Sequence, residues 1–201
     1  MVAFLRRWAP MVAAIAVTLT GAGCESPRTM SSPATLNFSN FGTITFAAGR
    51  VDVVDQYRSP RTPPHVEYLS STPPNEAVRR WVEDRLHAAG GSDGRIRVVI
   101  KDAQIVEVPL PRTGGVEGLF THDQTFRYDG RIEVEVDGDD DAKHFHGLAS
   151  ASVVRSRTLG DTASQGDRDR LWVDMAREMV EQLNGQLDGQ IRANLRPMVV
   201  R

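Results

Sequence analysis

The chain has 201 residues, 40% of them hydrophobic and 25% charged, with 24 basic side chains against 26 acidic ones. That length accommodates one domain with a leader and a tail, and a domain of this size buries enough surface to fold without disulfides or metal. The composition excludes a disordered chain, shows no basic excess for nucleic acid, and its single cysteine excludes an internal disulfide.

Residues 1–23 have the three parts of a secretory signal. Arg6 and Arg7 form a positive start, an apolar run follows over 11–19, and Gly21, Ala22 and Gly23 supply small residues before a cut. The run is too short for a permanent membrane helix, which needs about 20 residues. The cysteine, Cys24, comes directly after it. Gly21-Ala22-Gly23-Cys24 resembles the lipobox of bacterial lipoproteins, with Gly21 where that family usually has an aliphatic residue and Leu19 two places earlier. The resemblance implies cleavage before Cys24, lipidation of its thiol and acylation of its freed amine. One acyl chain binds a membrane marginally, whereas two or more hold firmly. Glu25, where an Asp would retain a lipoprotein of enteric bacteria in the inner membrane, favours the outer membrane on the same resemblance. The alternative is a plain secreted protein, cut after Ala22 or Gly23, with a spare thiol.

Residues 24–40 then read as a lipidated N-terminus and tether, because 25–39 are rich in Ser, Pro and Thr with no apolar period. Fully stretched, that tether reaches at most about 50 Å. A single α+β domain over 41–197 and a tail over 198–201 complete the division. Over 42–56, Ile44 and Phe46 and then Val51 and Val53 alternate with polar residues, which predicts a strand with a bulge or bend at Gly49. Five prolines make 58–74 a rigid loop. A helix follows, with Thr72 as N-cap, Pro73 in its first turn, Glu76 near its start and Gly90-Gly91 at its end. Ala77, Val78, Trp81, Val82, Leu86 and Ala89 form its apolar face.

In 95–111, Ile96, Val98 and Ile100 point one way and Arg95, Arg97 and Lys101 the other, while 105–110 extends that strand or makes a bent partner. Ile132, Val134 and Val136 alternate with Arg131, Glu133, Glu135 and Asp137, the clearest strand of the chain, and 137–142 reads as a hairpin connection. The next strand aligns Phe145, Gly147, Ala149, Ala151 and Val153, whose small side chains predict a helix packed close. That helix runs from about 167 to about 194, with Leu171, Met175, Met179, Leu183, Leu187, Ile191 and Leu195 recurring every fourth residue to cover the sheet. Gly185 and Gly189, each costing roughly 1 kcal/mol against Ala, predict bending or fraying. The order β-α-β-β-β-α with half-polar strands predicts an α+β fold. Its sheet, antiparallel or mixed, has about four strands covered on one face by two helices.

His144 and His146, two apart on a strand, share one face as a metal pair requires, with His122 as the third donor. Two imidazoles fall short of the three protein ligands of catalytic zinc, and a solvent-facing pair is the simpler account. Asp137, Asp139 and Asp141 lack the glycine and glutamate of a calcium loop, where Ala142 and Leu148 stand. There is no G-x-S-x-G, P-loop or G-x-G-x-x-G. The sequence thus predicts no catalytic set and no cofactor.

In layout (lipidated start, tether, small α+β domain, long closing helix) the chain is similar to auxiliary lipoproteins of bacterial ABC-type lipid-transport systems. That resemblance implies a non-catalytic envelope lipoprotein facing the periplasm. It would assist a membrane complex such as a transport system through a protein partner, and Cys24 is the one functional residue carried over. The alternatives are a soluble periplasmic module that binds a small ligand between sheet and helices, and a metal-dependent envelope hydrolase using His122, His144 and His146.

Overall fold

The computed structural model describes residues 36–111 and 124–200. In chain order the elements are β1 (Ile44–Phe46), β2 (Arg50–Asp55), α1 (Pro74–Arg85), β3 (Leu86–Ala88), β4 (Arg95–Pro109), β5 (Gln124–Asp140), β6 (Phe145–Gly160) and α2 (Gln165–Asn194). Four strands form one sheet in the order β2-β4-β5-β6, with β2 parallel to β4 and the other neighbours antiparallel. β1 and β3 pair in parallel as a separate two-stranded piece. The fold is α+β with a mixed sheet, as the half-polar alternation predicts.

The alternation decides which face is covered. Ile96, Val98, Ile100, Ile132, Val134, Val136, Ala149 and Val153 are all buried and join one core with Trp81 and Val82 of α1 and Met179, Leu183 and Leu187 of α2. The opposite face carries cross-strand ion pairs such as Arg95–Asp139 at 2.8 Å and Lys101–Glu135 at 3.1 Å, each adding at most about 1 kcal/mol. β4 is one continuous strand. Its register shifts between Ile100 and Asp102, which leaves Lys101 as the extra residue of a bulge. The inward set therefore changes from Ile96, Val98 and Ile100 to Ala103 and Ile105, and both halves stay turned to the core. Beyond the bulge, Ile105, Tyr128, Val66, Trp172 and Met175 form a second, smaller cluster.

Three expectations are corrected. The run over 42–56 is two strands, not one, because the chain turns at Ala47–Gly49 and its halves pair with different partners. The first helix ends at Arg85, well before Gly90, since Leu86–Ala88 pairs with Ile44–Phe46 as β3. Its N-cap is Pro73, one residue after Thr72, and no side chain caps it. In contrast, α2 runs unbroken through Gly185 and Gly189, held by its buried stripe and started by a capping box between Ser164 and Asp167.

Both ends of the described chain are tied down. Leu36 and Phe38, within the stretch read as tether, are buried, and the Phe38 N–H donates to the Asp84 carboxylate at 2.7 Å. Met198, in the stretch read as tail, is buried and accepts the Ala47 N–H at 2.7 Å, while the Val200 N–H donates to the Thr45 carbonyl at 2.8 Å. On the edge of β6, the Gln190 amide accepts the Ser150 N–H at 3.2 Å and donates to its carbonyl at 2.8 Å, as a neighbouring strand would.

Candidate functional site

Proline limits how the loop after β2 can bond to itself, since each one removes a backbone donor. A buried acid holds it instead. Glu67 is 2% exposed and accepts the Tyr57 hydroxyl at 2.7 Å, the Ile105 N–H at 3.1 Å and the Ser59 hydroxyl. Burial alone would raise its pKa, but the hydrogen bonds from Ser59, Tyr57 and the backbone outweigh that and hold Glu67 below the usual carboxylate range. Burial, then the Glu67 carboxylate, push the Tyr57 phenol far above its ordinary value, so it stays protonated and donates.

Fastening the loop opens a cavity of about 260 Å³ between the end of β2, the loop and the first turn of α1. Asp55, the last residue of β2, forms part of its wall. One carboxylate oxygen, Oδ2, accepts Asn75 Nδ2 at 2.9 Å and Arg79 at 3.4 Å. The other, Oδ1, is buried and has no hydrogen-bond partner among the described residues. Tyr57, Tyr68, Arg58 and Arg61 complete most of the lining. Arg58 Nη1 donates to the carbonyls of Asp55 at 2.7 Å and Tyr57 at 2.9 Å, which fixes its guanidinium beside the cavity.

Tyr68 also lines a larger cleft of about 480 Å³, where Pro63, Leu69, Phe126 and Trp172 give an apolar surface. Arg168 closes one side, paired with Glu107 at 3.1 Å and lying 5.0 Å from the centre of the Phe126 ring. The Tyr128 hydroxyl donates to the same Glu107 carboxylate at 2.7 Å.

The histidines do not assemble as the spacing suggests. His144 precedes β6 and ends the 3-10 turn Asp141–Lys143 with a left-handed φ of 49°, so only His146 lies on the strand. His146 is exposed, its Nδ1 3.3 Å from the Asp137 carboxylate. His122 and Cys24 lie outside the described residues. Among the described residues no three His, Cys, Asp or Glu side chains are grouped to hold a metal ion. Sequence reasoning passed over Asp55 and Glu67. Their only local signal was an acid at the end of an alternating strand and another between Val66 and Tyr68 in a proline-rich loop, and neither shows burial.

No protein-family profile matches the chain, and no curated protein matches it in sequence. Among solved structures it is similar to a minor lipoprotein from Acinetobacter baumannii, at 11% identity, 76% of this chain, 96% of that chain and a TM-score of 0.38. It is also similar to a Xanthomonas campestris protein of the family DUF330, at 10% identity, 78% of this chain, 93% of that chain and a TM-score of 0.34. A third is PelC from Paraburkholderia phytofirmans, solved as a dodecamer, at 9% identity, 70% of this chain, 88% of that chain and a TM-score of 0.24.

Proposed function

We propose that this chain is a non-catalytic lipoprotein of the cell envelope, held in the membrane through acylated Cys24 and serving as an auxiliary or assembly component of a membrane complex such as a transport system. One observation carries the reading: Gly21-Ala22-Gly23-Cys24 stands directly after an arginine-led apolar run, with the only cysteine of the chain at the expected cut. Each buried methylene of an acyl chain contributes about 0.8 kcal/mol, so two or more chains anchor firmly. No helix among the described residues is long and apolar enough to cross a bilayer.

The test is to express the protein with an alkyne fatty acid, take the intact mass of the mature form and fractionate the membranes, beside a Cys24→Ala control. An acylated species beginning at Cys24 in the outer-membrane fraction, absent from the control, is the expected result. A soluble, unmodified chain beginning near Cys24 would overturn the anchored reading.

A further inference from the structure

We infer that the open half of the β6 edge pairs with the same edge of a second copy of this chain, antiparallel across a two-fold axis. The two halves of that strand differ. β6 pairs with β5 without a break from Phe145 to Leu159, and no other strand of the sheet lies beyond it. Ser150 directs both its N–H and its carbonyl outward, where the Gln190 amide meets them, and Asn194 donates to the Leu148 carbonyl at 2.9 Å. Outward groups recur at every second residue of an antiparallel strand, so Ser152, Val154, Ser156 and Thr158 direct theirs the same way. Among the described residues no backbone or side-chain partner meets them.

Sheet edges are ordinarily blunted by short length, charge, proline, a bulge or a covering element. β2, the opposite edge, is 6 residues long and carries Arg50, Asp52 and Asp55. β6 is 16 residues long with no proline, lysine or acid, and α2 protects only its first half. The helix crosses the sheet obliquely: Gln190 and Asn194 reach the edge, whereas Trp172 and Met175 pack with Ile105 of β4 and Tyr128 of β5. The stretch it leaves open has uncharged, exposed side chains at Ser152, Val154, Ser156 and Thr158. Val154 is 61% exposed, more than any other large hydrophobic among the described residues.

A second copy is the strand that fits this edge. Set antiparallel about Arg155, all four open residues serve one another and Gln190 stays in place. Ser152 of each copy faces Thr158 of the other, Val154 faces Ser156, and each facing pair exchanges two hydrogen bonds. Val154 then lies diagonally against its own counterpart, within side-chain reach. Charge permits the contact. Arg155 and Arg157 share Glu178 of α2 at 2.9 and 2.6 Å, and Asp174, Arg177 and Glu181 lie beside it on the helix. The three basic and three acidic side chains balance on each copy, and where Arg155 meets Arg155 each brings its own carboxylate.

The pairing does not depend on acylation of Cys24, so its failure is read separately from that of the anchor. Sedimentation equilibrium of the purified mature protein, in density-matched detergent, reads its mass from micromolar to millimolar concentration. A monomer–dimer equilibrium is expected. Val154→Lys, which sets two cations side by side at an exposed position, should weaken it about tenfold or more while leaving the circular dichroism of the monomer unchanged. Arg155→Cys supplies a second reading. Its Cα faces its counterpart at about 4.5 Å in a non-hydrogen-bonded pair, close enough for a disulfide. Ser152→Cys instead lies about 20 Å from its counterpart. With the wild-type chain and its Cys24 as background, oxidation should cross-link Arg155→Cys and not Ser152→Cys. A mass that stays monomeric at millimolar concentration overturns the inference. So does an assembly that Val154→Lys leaves unchanged, and so does cross-linking of Arg155→Cys no greater than that of Ser152→Cys.

Discussion

The Glu67 carboxylate accepts the backbone N–H of Ile105 at 3.1 Å across 38 positions of sequence. The same group takes the hydroxyls of Tyr57 and Ser59, so one buried acid fixes a proline-rich loop to the middle of the sheet. The cavity beside Asp55 owes its shape to that bond, because Tyr57 and Ser59 are lining residues.

Acid should weaken that bond in a defined direction. Glu67 is held below its ordinary value of 4.5, the hydrogen bonds outweighing burial. A carboxylate lowered in the folded state contributes stability that is fully present above its unfolded value and is lost as pH falls through the folded one. Glu67→Gln should cost about 1–3 kcal/mol at neutral pH, since the amide cannot accept at both ends. The urea midpoints of the two proteins should converge as the pH drops below about 4.5. Parallel curves down to the lowest workable pH would show that Glu67 contributes nothing through its charge.

Arg85 poses the converse case, a buried cation. Its guanidinium is 3% exposed and donates to the carbonyls of Phe41 and Gly42, the latter at 3.0 Å, and to Asp188. Burial holds its pKa below the usual value, with Asp188 acting against that shift. Asp188→Ala leaves the charge buried without its counterion and should cost about 3 kcal/mol. Asp174→Ala, which removes an exposed partner of Arg177, should cost less than about 1 kcal/mol. Equal losses in chemical denaturation would mean that burial of Arg85 adds nothing to the pair.

Where pattern alone decides structure, the sequence was legible. The long strands, their inward residues and the α2 stripe follow from periods of two and of about four, so Ile132, Val134 and Val136 and Met175 to Ile191 fall where the alternation places them. What failed depended on contacts distant in sequence. Leu86 fits a helical spacing equally well, and only pairing with Ile44 makes it a strand. His144 leaves the strand because the turn ends in a left-handed residue there. The site was hidden for the same reason: Glu67 is buried by Tyr57, Ser59 and Ile105 together, and no local window contains that set.

Close approach of α2 to the sheet distinguishes Gly130 of β5 from Gly147 of β6. A Cβ on Gly147 would lie 2.6 Å from the Asn194 carbonyl oxygen, so the helix end itself must retreat, whereas on Gly130 it meets the Met179 methyl at 2.9 Å and sulfur at 3.0 Å. A thioether repacks readily and a helix backbone does not. Gly147→Ala should cost about 1–3 kcal/mol by overpacking and also disturb the Asn194 bond to the Leu148 carbonyl. Gly130→Ala should lower the thermal midpoint less, and a reversed ranking would show that the Met179 side chain is the more rigid neighbour.

The second half of α2 offers a gain in stability instead of a loss. Gly185 and Gly189 are exposed, lie within an unbroken helix, and a Cβ at either would meet nothing within 4 Å. Alanine there restricts the unfolded chain without straining the folded one, so each substitution should add about 1 kcal/mol. The two positions are neighbours one turn apart on the helix, so the double variant should gain about 2 kcal/mol with a small pairwise correction, a rise of several degrees in the thermal midpoint followed by circular dichroism. A midpoint that stays level or falls would show that the glycines keep a bend the helix needs, and that the free space beside them is part of how α2 closes over β6.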